Sequence, residues 1–148
     1  MKFLLCILLL FIPSFGYHEQ SAVTIKTEKV KGIICTNRKQ WESMFEDKKF
    51  WRPTKGQVLK AEAEIERFLK DKPPAQSPNL WQKLPRYKRQ YVGVIIDGHK
   101  RIYCDFSCSE DPLSCQPVIH SDGGDCFFQV EYDVEGQKVE WLRINGDA

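Results

Sequence analysis

Residues 87–108 read YKRQYVGVIIDGHKRIYCDFSC, and the architecture is worked out from them. Val92, Val94 and Ile96 share one side of a period-2 pattern, with Tyr91 and Ile95 on the other. That spacing predicts a strand from Tyr87 to Asp97, because successive side chains of a strand point to opposite faces. Asp97-Gly98 then supplies a two-residue turn, since glycine accepts the positive φ of a type I′ turn. From Arg101 the chain returns, placing Ile102, Cys104, Phe106 and Cys108 on one face and Arg101, Tyr103, Asp105 and Ser107 on the other. An antiparallel hairpin results.

Downstream of the hairpin, Ser109 to Pro117 is a polar loop, and Val118-Ile119 leads to the turn Asp122-Gly123-Gly124-Asp125. Cys126 to Asp133 predicts another strand, with Cys126, Phe128, Val130 and Tyr132 facing inward. Glu135-Gly136 turns the chain, and Lys138 to Ile144 is the last strand. Short connections between consecutive strands favour a meander. Upstream, Thr54 and Gln57 form a capping box just after Pro53. Val58, Ala61, Ile65, Phe68 and Leu69 then follow at helical spacing, and Asp71-Lys72-Pro73-Pro74 ends the helix. The proline-rich stretch from Pro73 to Pro85 carries Leu80, Trp81 and Leu84, which should pin it to the surface.

The Thr54 helix is the strong candidate to cover one face of the sheet. The expectation is an α+β fold over residues 54–148, with one main helix packed on a four-stranded antiparallel meander. An N-terminal strand/helix extension over 17–53 precedes it. Ala22 to Val30 has partial strand alternation, Gly32-Ile33-Ile34-Cys35 is a short apolar patch, and Asn37 to Lys49 has helical spacing with Trp41, Met44 and Phe45 on one side. Phe50-Trp51 should pack onto the main body.

The compartment is indicated by the start of the chain. Lys2 precedes an uninterrupted apolar run from Phe3 to Ile12, Pro13 breaks it, and Ser14-Phe15-Gly16 places small residues before Tyr17. This is the pattern of a signal peptide over 1–16, too short to span a bilayer. No second long apolar run follows, so no membrane span is expected. A periplasmic or secreted protein, in a space that favours disulfides, is implied. A formal net charge of +2 argues against a generic nucleic-acid binder, and 12% aromatic residues argue against disorder.

Of 6 cysteines, Cys6 lies in the leader. Cys104, Cys108, Cys115 and Cys126 cluster, and Cys35 stands apart. The four clustered residues are the disulfide candidates, and sequence leaves their pairing open. Cys108–Cys115 is the favoured pair because it would staple a loop between strand ends. An odd number leaves one thiol free or paired outside the chain. CxxC spacing is absent, so zinc is disfavoured. His120, Asp122 and Asp125 around Gly123-Gly124 are better read as an ordinary turn than as a cation site. No metal and no cofactor are therefore implied. Trp81, Lys83, Arg86, Tyr87, Lys88 and Arg89 form a basic-aromatic patch. It reads either as a possible partner surface or as the solvent face of an edge strand.

The helix followed by a four-stranded meander resembles the cystatin-like architecture, over residues 54–148 and in topology only. Cystatin inhibitors carry Gln-x-Val-x-Gly in a hairpin loop, whereas here Gln90-Tyr91-Val92-Gly93 has its glycine one position early and lies inside a strand. The second-hairpin Pro-Trp pair is missing as well, because Trp141 follows Glu140. No inhibitory residue is carried over. The runs Tyr87-Lys-Arg-Gln-Tyr91, Asp122-Gly-Gly-Asp125 and Asn145-Gly-Asp-Ala148 resemble those of uncharacterised exported bacterial proteins, which implies a source and a compartment.

These observations point to an exported binding protein with an unknown protein partner in the envelope or outside the cell, acting as an inhibitor or immunity-like protein. No catalytic set is recognisable. One alternative is a small hydrolase-like or ligand-binding enzyme with a pocket between helix and sheet, using Asp105 or Asp125 with His120. The other is a structural envelope component.

Overall fold

A computed structural model of the chain describes residues 22–146, so the leader expected over 1–16 lies outside the described residues. Among the described residues, the seven strands form one mixed sheet. They are β1 (Ala22–Lys26), β2 (Lys31–Cys35), β3 (Lys49–Trp51), β4 (Lys88–Ile96), β5 (His99–Ser107), β6 (Phe127–Asp133) and β7 (Lys138–Ile144). The order across the sheet is β1-β2-β4-β5-β6-β7, with β3 also paired to β4. Helix α1 (Lys55–Asp71) and the single turn α2 (Leu80–Lys83) complete the regular structure, with short 3-10 turns between elements.

From β4 to β7 each strand pairs antiparallel with the next. Asp97 and Gly98 take φ of 50° and 80°, so the β4–β5 turn has both central residues in the left-handed region. The expected architecture nevertheless needs correction. Residues 22–51 are not an extension beside a four-stranded meander, because they build three further strands into the same sheet. β2 lies parallel to the first half of β4, from Lys31 opposite Lys88 to Ile34 opposite Tyr91. β3 lies antiparallel to the second half, from Lys49 opposite Ile95 to Trp51 opposite Gly93. The physical reason is in β4 itself. It is buried along most of its length and apolar on both faces from Tyr91 to Ile96, which suits an interior strand, and an interior strand needs partners on both edges. The chain reaches β4 from β2 by a crossover that contains α1, as parallel neighbours require.

The helix expected over Asn37–Lys49 is also corrected. Asn37 caps a 3-10 turn at Arg38–Gln40, and one further turn brings the Met44 and Phe45 amides 3.0 Å from the Trp41 carbonyl. Positions 41, 44 and 45 share a face within one turn, so their spacing alone did not require a longer helix.

Both sheet faces are covered. Against one, α1 places Val58, Ala61, Ile65 and Leu69 over Tyr91, Ile102, Cys104, Phe106, Phe128 and Val130, while Leu59, Glu62 and Glu66 border an open groove of about 650 Å³ shared with Val30, Trp81 and Arg89. The stretch 73–85 is held down by the buried Leu80 and Leu84. On the other face Trp41 and Phe45 pack with Val92, Val94 and Tyr103. Helix α1 begins in the capping box of Thr54 and Gln57, and its solvent side carries the Glu66–Lys70 pair at 2.6 Å.

A charge pair is enclosed beneath α1. Arg89 and Glu62 are 1% and 7% exposed, and Arg89 Nη2 stands 3.3 Å from Glu62 Oε2. The Tyr91 hydroxyl donates to Glu62 Oε1 at 2.7 Å, and Arg89 Nη1 donates to the Tyr87 carbonyl at 2.6 Å. The guanidinium also lies 5.4 Å from the centre of the Phe106 ring. Removing one partner of such a pair leaves a buried charge uncompensated.

Two stability predictions follow from this packing. Glu62→Ala should lower the unfolding free energy by about 3–5 kcal/mol in urea titration; a loss below about 1 kcal/mol would show that the pair does not hold α1 to the sheet. A Cβ on Gly93 would overlap the Trp51 carbonyl oxygen and lie 2.8 Å from Pro53 Cδ. Gly93→Ala should therefore cost about 1–3 kcal/mol through displacement of β3 and the start of α1, and a neutral result would refute that close packing.

Candidate functional site: a clamped loop at one end of the sheet

Strand β5 ends at Ser107, opposite Phe127, and the next ladder position brings Cys108 beside Cys126. The Cys108 amide donates to the Cys126 carbonyl at 3.0 Å, and the two sulfurs are bonded. Cys115, within the intervening loop, is bonded to Cys35 at the end of β2. The favoured Cys108–Cys115 pairing is thus corrected, and the reason is register. Cys104, also a disulfide candidate, faces Val130 across the ladder and remains a fully buried free thiol. Burial pushes its pKa well above the ordinary value, so it stays protonated. In a chain-entropy account the two bridges remove about 3 and 4–5 kcal/mol of freedom from the unfolded chain, the larger value for the 80-residue separation.

Side chains fasten the same loop through its backbone carbonyls. Lys88 Nζ donates to Ser109 O at 3.1 Å and to Asp111 O at 2.5 Å. Gln90 Nε2 donates to Ser114 O at 2.5 Å and Gln116 O at 2.7 Å. Asn145, 5% exposed just after β7, donates from Nδ2 to His120 O at 2.5 Å. The His120 ring stacks on Phe127 with centroids 3.6 Å apart. Between these anchors Val118 is 45% and Ile119 85% exposed.

The basic-aromatic patch does not present itself as one surface. Tyr87 and Arg89 are buried, and Arg89 serves the pair with Glu62. Lys83 sits 2.5 Å from Asp125, whose carboxylate also accepts from Ser77. Lys88 is one of the loop fasteners. Trp81 is half-buried, with the Lys70 ammonium 5.0 Å from its ring, while Arg86 is exposed. The signal that separates these roles is absent from residue type: a lysine or arginine looks the same whether it meets solvent, a carboxylate or a row of carbonyls.

Beneath the loop lies a small concavity of about 50 Å³, with Asp105, Ser107, Val118 and His120 among its lining residues. Burial pushes the Asp105 carboxyl up to about 6, opposed by the Gln129 amide that donates to it at 3.1 Å. Among the described residues no hydrogen bond joins Asp105 to His120. Asp125 is committed to Lys83 and Ser77, which hold its pKa below the ordinary carboxylate range. Neither acid is therefore coupled to His120 as general acid–base chemistry would require. Among the described residues, His99, Asp133 and Glu135 lie close enough to hold a cation, whereas His120, Asp122 and Asp125 are not such a group. Asp133, however, is already engaged at 2.8 Å with Arg101 and by the amides of Glu135 and Gly136.

The raised Asp105 value has a definite sign. The folded state holds this proton more tightly than the unfolded state, so stability falls as pH rises from about 4 to about 6. Asp105→Asn should remove that part of the pH dependence and raise stability at pH 7 by up to about 3 kcal/mol; urea titrations at pH 4 and pH 7 that shift equally in variant and parent would refute it. No family model, curated protein or solved structure matches the chain, and the geometry of the clamped loop is what points to a function.

Proposed function

We propose that the chain is a small exported binding protein, periplasmic or secreted, that acts by protein–protein contact in the manner of an inhibitor or immunity protein. The loop from Ser109 to Gly123 is its contact element. The observation that carries this reading is Ile119, 85% exposed at the tip of a segment fixed by two disulfides and three donor side chains. A single exposed aliphatic residue is ordinary on a protein surface. Holding one out on a preorganised loop is what lowers the ordering cost of association. Two disulfides fit an oxidising compartment, and among the described residues no helix is long and apolar enough to cross a membrane.

Pull-down from envelope and secreted extracts should yield a stoichiometric partner with the parent protein. Ile119→Asp should weaken that capture by about 10- to 100-fold, the equivalent of burying one aliphatic side chain, with no change in thermal unfolding. Equal capture by parent and variant would place the contact elsewhere, and no stoichiometric partner under several conditions would count against a binding role altogether.

A further inference from the structure

We infer that the clamped loop is a substrate-like inhibitor of secreted serine endopeptidases with an aliphatic primary pocket, and that Ile119–His120 is the bond it offers. This rests on the binding-loop reading above and deepens it by naming the partner class.

Three features of the loop carry the inference together. The first is the backbone at the tip. Residues 117–120 have no regular secondary structure, and among the described residues Val118 and Ile119 form no backbone hydrogen bond within the chain. Pro117 has a fixed φ and biases Gln116 toward extended geometry. A segment outside the ladder, whose amides and carbonyls meet no backbone partner in the chain, is open to the strand-like pairing that an endopeptidase cleft offers.

The second feature is the side chain, a β-branched aliphatic group with 85% of its surface exposed. A pocket for it must be apolar and of moderate depth.

The third is how the two sides of the bond are anchored. On the acyl side, Cys115 is bonded to Cys35, and the Ser114 and Gln116 carbonyls are held by Gln90. On the amine side, the His120 carbonyl is held by Asn145, its ring lies on Phe127, and the Gly124 amide donates to Gly146 O at 2.9 Å. The Cys108–Cys126 bridge spans the Ile119–His120 bond covalently. These anchors belong to separate elements, so neither half depends on the intervening peptide bond for its position.

The chemistry then follows. The endopeptidase's serine oxygen adds to the Ile119 carbonyl carbon, the C–N bond to His120 breaks, and the serine proton passes to the departing His120 amine. An ester joins Ile119 to the enzyme. In an ordinary substrate that amine diffuses away and water completes hydrolysis. Here it stays beside the ester, where a tethered amine has a high effective concentration. It attacks the ester carbon, re-forms the amide and returns the proton and the serine hydroxyl. The enzyme remains occupied by a loop that is cut and resealed.

The test uses the full-length oxidised chain, titrated against an elastase that accepts Val and Ile and against trypsin, with products read by mass spectrometry before and after reduction. The parent should inhibit elastase stoichiometrically. One cut, between Ile119 and His120, should approach a mixture of cut and intact chains rather than completion, with the pieces separating only on reduction. Ile119→Arg should weaken elastase inhibition by at least about tenfold and confer inhibition of trypsin. The inference is overturned if elastase digests the loop at several bonds without losing activity, or if parent and variant leave both enzymes untouched. A loop-dependent partner that is not a peptidase, captured in the Ile119→Asp comparison, would overturn this inference while leaving the binding-loop reading in place.

Discussion

Strand β4 has to satisfy hydrogen-bonding groups along both edges and cover both faces, and the other elements are laid down around that demand. On one edge β5 pairs along its whole length. On the other edge, β2 serves the first half in parallel and β3 serves the second half antiparallel. Gly93 faces Trp51 in that second half, where a side chain would strike backbone and Pro53. The faces are divided similarly. Tyr91 and Arg89 belong to the helix side, while Lys88, Gln90, Val92 and Val94 meet the elements of the opposite side.

The polar residues of β4 therefore have three different duties. Arg89 is neutralised by Glu62 in a setting where an isolated charge would be very costly. Tyr91 completes that group by donating to the same carboxylate. Lys88 and Gln90 instead offer donors to carbonyls of a loop that has no strand of its own to pair with. A loop crossing a sheet face would otherwise carry unsatisfied backbone groups. The packing that stabilises the domain and the clamping that shapes the loop thus come from alternate residues of one strand.

Much of the region from residue 54 onward was legible because its signals are local. Val92 and Val94 against Tyr91 mark a strand with two apolar faces, Asp97-Gly98 marks a tight turn, and Thr54 with Gln57 marks a helix start. What was not legible depended on register and long-range pairing. Lys31–Cys35 is too short to announce itself as a strand, and nothing in it says that its neighbour is Lys88–Tyr91, far along the chain. The disulfides were misassigned for the same reason: Cys108 meets Cys126 because Ser107 meets Phe127, a fact of alignment rather than of spacing. At the candidate site, Val118-Ile119 is only two residues long, and exposure cannot be read from two apolar residues. Lys88, Arg89 and Gln90 carried no mark to distinguish a fastener or a buried ion-pair member from a solvent-facing group.

The two bridges interlock along the chain: Cys35 joins Cys115, and Cys108, which lies between them, joins Cys126 beyond. Neither bridge links cysteines that are neighbours in sequence. As the polypeptide is made, Cys35 first encounters Cys104 and Cys108, and Cys108 first encounters Cys115. Oxidation faster than sheet formation would therefore give mispaired species that only thiol–disulfide exchange can correct. The pairing of β5 with β6 sets Cys108 beside Cys126, and burial withdraws Cys104 from exchange, so the folded sheet itself selects the native bridges. The covalent shape of the loop is in this sense dictated by strands far apart in sequence, not by the order in which its cysteines emerge.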